Sequence, residues 1–191
     1  EAVCLSGGYQ VDDWSVPHSK SRPTIVDAEL VPGRRGLFID GSGVPTITVE
    51  GFRIRRGGHQ VSEGGGVYVD GGSVLLEDNV IETCSAEDRG GGLFVAGGSV
   101  HLWNVTLRGN VAPYGGGLYV AEGSVRLERS TLMESEGPPV GGAIAVGGGV
   151  VSGVARGWVC RPRLRGSRGP SAGPRAGAWR RPAFPRGSRG C

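Results

Sequence analysis

Two glutamates are the residues of this chain best suited to acid–base chemistry. Glu50 and Glu77 each follow a short apolar run, at positions that would place both carboxylates on neighbouring strands, pointing outward. Hydrolysis of a glycosidic bond uses two such carboxylates, one of them a general acid. No third side chain orients this pair, and outward glutamates also form plain solvated edges. Both are therefore weak catalytic candidates, and the sequence leans away from an enzyme.

Three aromatic residues are better candidates for a substrate-binding site. Tyr68, Phe94 and Tyr119 occupy the same position of a repeated segment, Gly-Gly-Gly-apolar-aromatic-Val. If their aliphatic neighbours point inward, the three rings point outward and stack in register up one face. Stacked rings could hold the flat faces of sugar rings. Aromatic pairs on adjacent strands also stabilise sheets, by up to about 1 kcal/mol each, so a purely structural role stays open.

No metal or cofactor site is predicted from the remaining polar residues. The cysteines show neither a Cys-x-x-Cys pair nor a regular spacing with histidine; they are Cys4, Cys84, Cys160 and Cys191. Cys84 holds the place that Asn110 and Ser135 hold in later repeats, which makes it a small corner residue. The glycine clusters lack the Gly-Lys-Ser/Thr of a phosphate loop.

The elements that must position these side chains are revealed by a repeat. A glycine cluster runs into an apolar strand at residues 64–69, 90–95, 115–120 and 141–146, with steps of 26, 25 and 26 residues between positions 66, 92, 117 and 143. A period of this size is typical of a solenoid. Glycine recurs at the corner because a tight turn needs positive φ or close backbone approach. Replacing Gly91 or Gly116 with Val should therefore cost more stability than most outward substitutions.

Within each period the apolar residues form three short alternating groups. Superposing the periods gives aliphatic columns, one of which runs through Ile47, Val74, Val100, Val125 and Val151. The sequence thus predicts an all-β fold, a right-handed parallel β-helix of about five coils of 25–27 residues with three strands per coil. The predicted divisions are a lead-in (1–23), the β-helix (24–155) and a tail (156–191).

The repeats resemble a known family. The Gly-Gly-Gly-Leu-Tyr-Val units, followed by Gly-Ser-Val-x-Leu at 72–76, 98–102 and 123–127, are similar to those of secreted right-handed parallel β-helix proteins of bacteria. These include pectin-lyase-like folds and polymorphic outer-membrane proteins with Gly-Gly-[Ala/Gly]-Ile repeats. The resemblance implies the handedness, an extracellular or cell-surface location and a bacterial source. Its members include adhesins and polysaccharide-degrading enzymes, so it implies fold more narrowly than activity.

The charge is divided between two unlike segments. All acidic residues precede Arg156, which gives residues 1–155 a net charge of −7 and residues 156–191 a net charge of +10. The second segment is rich in Arg, Pro and Gly, a composition that predicts disorder. It could be a basic arm for a polyanion, with Trp158, Trp179 and Phe184 for stacking, or the product of a frame-shifted reading. Nucleic acid is not the expected partner.

The two ends of the repeat carry further expectations. Glu1 is not a start residue, and the sequence contains neither a secretory signal nor a stretch long enough to span a membrane, so we expect a mature or clipped fragment. The C-terminal coils show no capping element, which favours end-to-end self-association or further sequence downstream.

The sequence therefore favours a surface scaffold for binding or adhesion, to a polysaccharide or to a surface protein. The alternative is a polysaccharide lyase or glycoside hydrolase whose site lies partly outside this sequence. A purely structural stalk is a third interpretation.

Overall fold

The computed structural model describes residues 2–9, 21–133, 135, 142–154 and 158–159. In these ranges the chain forms β-strands and no helix. The strands are β1 (Val3–Ser6), β2 (Thr24–Asp27), β3 (Leu37–Asp40), β4 (Ile47–Glu50), β5 (Phe52–Arg55), β6 (Val67–Glu77), β7 (Val80–Glu82), β8 (Leu93–Trp103), β9 (Thr106–Arg108), β10 (Leu118–Val120), β11 (Ser124–Glu128), β12 (Thr131–Met133), β13 (Ile144–Val146), β14 (Val150–Val154) and β15 (Trp158–Val159).

Every strand pairs in parallel with its equivalents one turn above and below. One sheet contains β1, β3, β4, β6, β8, β10, β11, β13 and β14; the second runs β15-β12-β9-β7-β5-β2. The pairing follows the predicted columns, with Ile47 opposite Val74 and Val74 opposite Val100. The predicted fold class is confirmed: the protein is an all-β parallel solenoid of about five turns.

Two turns join their first and second strands into one. β6 and β8 are each 11 residues long and cover two sides of the solenoid, whereas β10 and β11 remain separate in the next turn. The register between β6 and β8 shifts at Asp70, next to Gly71 and Gly72, both of which have positive φ. Two glycines in this conformation turn the corner without ending the strand.

The core is a stack of aliphatic side chains inside the coil. The largest fully buried ones include Ile54, Leu76, Ile81, Leu93, Leu102, Leu107, Leu118 and Leu132. They form one cluster with the inward valines of the same columns. Burying such a side chain contributes about 1.5–3 kcal/mol, so this stack is the main source of stability.

Each member of a glycine cluster has its own reason to lack a side chain. Gly90 has φ +61°, in the left-handed region that favours glycine. A Cβ on Gly91 would lie 2.3 Å from the Val111 carbonyl oxygen, and one on Gly92 would lie 2.6 Å from that of Gly117. The sequence prediction of both positive φ and close approach is therefore confirmed at this corner.

Buried polar side chains satisfy the backbone where the chain turns. Asn79 accepts a hydrogen bond from the Phe52 N–H (2.9 Å) and donates one to the Val49 carbonyl (2.8 Å). Asn110 does the same at another corner, accepting from the Cys84 N–H (3.0 Å). These residues replace the backbone partners that a corner lacks. Cys84 is buried there, which confirms it as a small corner residue.

Strand pairing extends beyond the predicted β-helix boundaries at both ends. β1, from the predicted lead-in, pairs with β4, and β15 continues the second sheet by pairing with β12. Residues 10–20 and the predicted tail apart from 158–159 lie outside the described residues, as do the side chains of Trp158, Trp179 and Phe184. No helix able to cross a membrane is found in the part of the chain that the structure describes.

Candidate functional site

The three predicted aromatic residues form a continuous ladder with a fourth. Phe38 stacks on Tyr68 with ring centroids 5.3 Å apart, Tyr68 on Phe94 at 5.0 Å, and Phe94 on Tyr119 at 5.6 Å. The strands β3, β6, β8 and β10 hold these rings in register on one side of the solenoid. We call this surface the aromatic face. It brings together all three residues that the sequence singled out for substrate binding.

Most ring faces in the ladder are occupied by neighbours. The interplanar angles of 19°, 25° and 3° mean that the rings lie nearly parallel. Phe94, in the middle, is only 3 % exposed, whereas Phe38, the first ring, is 54 % exposed. A ligand on this surface would therefore meet ring edges and Phe38 rather than a free face of Phe94.

Arginines from the adjoining corner flank the ladder. The Arg35 guanidinium lies 4.9 Å from the centroid of Tyr68, and that of Arg89 lies 5.5 Å from the centroid of Tyr119. Arg89 also pairs with Asp88 (2.8 Å) and Glu63 (3.2 Å). Such cation–π contacts contribute about 0.5–1 kcal/mol at exposed sites. Burial, with the nearby Asp70 and Glu63 carboxylates, raises the pKa of Tyr68.

Phe38 is the functional candidate that sequence reasoning missed. Leu37 pairs with Val67, a step of 30 residues (67 − 37), which is longer than the later steps, and Gly36 is a single glycine rather than a cluster. The signal available was the segment Leu37-Phe38-Ile39-Asp40 itself, which matches Val67 to Asp70 in pattern.

The two predicted catalytic carboxylates lie on neighbouring strands. Glu50 of β4 stands opposite Glu77 of β6, and the same column continues through Trp103 to Glu128. Both residues are half-buried. Within the described residues no hydrogen bond or ion pair joins either carboxylate to another side chain, so the structure brings the pair together without an orienting group.

A second aromatic cluster lies higher in the glutamate column. Trp103 contacts His101 edge to face, with centroids 6.0 Å apart, and the Arg129 guanidinium lies 5.0 Å from a Trp103 ring. His101 Nε2 is 3.6 Å from Glu128 Oε2. These contacts fix Trp103 between cationic or ionisable neighbours and cover part of its surface.

Opposite charges alternate along the outer side of the second sheet. Asp27 of β2 accepts hydrogen bonds from Arg56 (2.7 Å), from Arg55 (2.7 Å) and from the Glu29 N–H (3.0 Å). The bond from Arg56 is the main reason that the pKa of Asp27 lies well below its usual range. One turn higher, buried Glu82 accepts a hydrogen bond from Arg108 (2.7 Å). We call this arrangement the charged ladder.

Metal and thiol chemistry find little support in the described part of the chain. No group of three or more His, Cys, Asp or Glu side chains there could hold a metal ion. Burial raises the pKa of the Cys84 thiol to about 11, so it is protonated and unreactive at neutral pH. Cys160 and Cys191 lie outside the described residues.

The fold and these surfaces define a parallel β-solenoid protein with an exposed aromatic ladder. Comparisons with protein-family models, with curated proteins and with solved structures find no match to this chain.

Proposed function

We propose that this protein is a secreted or cell-surface β-helix scaffold that binds an extended carbohydrate along its aromatic face. The location and a role in adhesion rest on the resemblance of the repeats to secreted β-helix proteins of bacteria, among them pectin-lyase-like folds and polymorphic outer-membrane proteins. A solenoid scaffold hosts many functions, so the site must carry the argument.

The observation that carries the proposal is the length of the aromatic ladder. Four rings follow one line along the solenoid axis across three strand spacings, or about 14 Å. A linear surface of this length suits a polymer better than a single small molecule.

The chemistry of the surface also suits sugars. Ring edges are apolar, while the phenol groups of Tyr68 and Tyr119 and the guanidinium groups of Arg35 and Arg89 offer hydrogen bonds beside them. A sugar presents apolar C–H groups and hydroxyls together, and binding sites commonly combine apolar surface with a few placed polar groups. The exposed ring of Phe38 supplies the one large apolar contact at the end of the row.

Electrophoresis of the full chain through gels containing single polysaccharides tests this proposal. The expected result is retardation by at least one polymer, and a loss of affinity of about fivefold or more in Phe38→Ala, since removing an exposed aromatic contact costs binding directly. Val150→Ala is the matched control because Val150 is an even more exposed apolar residue, on β14, away from the aromatic face. Equal losses in both variants, or no retardation by any polymer, would contradict the proposal.

A second candidate function is hydrolysis or elimination at Glu50 and Glu77. The observation in its favour is their direct opposition on strands about 4.8 Å apart, close to the separation of roughly 5–5.5 Å between the carboxyl groups of retaining glycosidases. Polymer cleavage that disappears in Glu50→Gln and Glu77→Gln but persists in Glu128→Gln would establish it. Glu128 is the control because it belongs to the same outward column but already contacts Arg126 and His101.

A further inference from the structure

A polar groove lies outside the second sheet, away from the aromatic face. Its volume is about 480 Å³, within the range of small-ligand sites. The segment before β2 forms one wall, with Ser21 and Pro23, and the outward residues Arg53, Val80 and Thr106 form the floor. Neither the aromatic ladder nor the glutamate column contributes to it.

Two corner residues present hydrogen-bonding groups at the edge of the groove. Asp78 and Asn104 occupy the same corner in successive turns, both with left-handed backbone (φ 52° and 53°). The Asn104 side-chain amide donates a hydrogen bond to Asp78 Oδ1. This contact orients both side chains, and leaves Asp78 Oδ2 and Asn104 Oδ1 as acceptors.

The groove is electrically balanced. Arg53 brings a guanidinium whose Nε lies 2.8 Å from Glu82 Oε1 without the alignment of a hydrogen bond. The Asp78 carboxylate lines the same groove and would repel an anion. Donors and acceptors therefore stand side by side, with Thr106 able to act as either and Val80 offering an apolar patch. Hydroxyl groups match this combination because each one both donates and accepts.

We propose that this groove binds a neutral, hydroxyl-rich ligand of the size of one sugar unit. The site is separate from the aromatic face, and it stands or falls independently of the function proposed for that face.

Side-chain and backbone amide NMR of the ¹⁵N-labelled full chain tests the proposal. The probes are D-glucose, D-galactose and N-acetyl-D-glucosamine, with D-galacturonate and inorganic phosphate as anionic comparators. We expect a neutral sugar at millimolar concentration to shift the side-chain amide of Asn104, and the anions to shift it less. Thr106→Val should weaken the titration about fivefold, as expected for the loss of one hydrogen bond.

Thr131→Val is the matched control. Thr131 pairs directly with Thr106 one turn higher and is equally half-buried, but it does not line the groove. It should leave the titration unchanged. A stationary Asn104 signal with all three sugars would overturn the proposal, as would stronger binding of an anion or an equal loss in both threonine variants.

Discussion

Left-handed corners are the feature at residue scale that most constrains this sequence. One corner is occupied in successive turns by Arg56, Thr83 and Gly109, with φ of 55°, 52° and 60°. L-residues pay about 1–2 kcal/mol for this conformation, and β-branched ones adopt it least readily. The repeat therefore tolerates a strained side chain at some corners and uses glycine at others.

A glycine substitution at the strained corner should stabilise the protein. Thr83→Gly removes a β-branched residue from φ 52° and reproduces the choice made at Gly109. The expected gain is about 0.5–1 kcal/mol in the free energy of unfolding, somewhat less than the strain because glycine is more flexible in the unfolded chain. Urea denaturation measures it. A loss of stability would show that the Thr83 hydroxyl, which donates to the Glu82 carbonyl, matters more than the strain.

Two alanine substitutions separate close approach from general flexibility. A Cβ at Gly91 would meet the Val111 carbonyl oxygen at 2.3 Å, whereas one at Gly97 would meet no atom within 4 Å. Gly91→Ala should cost roughly 2 kcal/mol or more, since backbone must move to make room, while Gly97→Ala should be close to neutral. Thermal unfolding of the two variants provides the comparison, and similar melting temperatures would contradict the corner geometry.

At the scale of elements, parallel pairing in register turns each outward position into a ladder. The aromatic ladder and the charged ladder both follow from this rule, but only part of them could be predicted from the sequence. Tyr68, Phe94 and Tyr119 were marked by regular glycine clusters. The partners of Asp27 were not, because β2 and β5 are joined by an irregular step and the pairing of their side chains depends on that register.

The position of a ring in the aromatic ladder should decide what its removal does. Phe94→Ala should cost about 3 kcal/mol, because this ring is buried between two others. Phe38→Ala should cost less than about 1 kcal/mol, as its ring is largely exposed. Chemical denaturation of both variants checks this order. Equal costs would mean that the ladder, rather than burial, determines the stability of each ring.

The charged ladder predicts a pH dependence. The folded pKa of Asp27 is lowered, above all by its hydrogen bond from Arg56, so its contribution to stability is present above the pKa of about 3.9 of an unfolded-state aspartate. That contribution is lost as the pH falls through the lower folded pKa. The stability difference between the native protein and Asp27→Asn should therefore be largest near neutral pH and shrink below about pH 4. Urea unfolding at several pH values measures it, and a difference that stays constant would contradict the ion pairing.

At the scale of the whole molecule, the solenoid was predictable and the sites were only partly so. The aliphatic columns repeat in every turn, so the core, the parallel pairing and the number of turns could be inferred from period alone. Phe38 escaped because its turn is longer and has a single glycine. The groove beside Asn104 escaped because it depends on the path of residues 21–23, which no repeat describes.

The central claim is that this solenoid binds carbohydrate without cleaving it. The most direct measurement incubates the full chain with plant, microbial and host polysaccharides, and follows retention on each polymer together with the release of new reducing ends and unsaturated products. The account predicts retention on at least one polymer and no cleavage products. Cleavage that requires Glu50 or Glu77, or the absence of retention on every polymer, would contradict it.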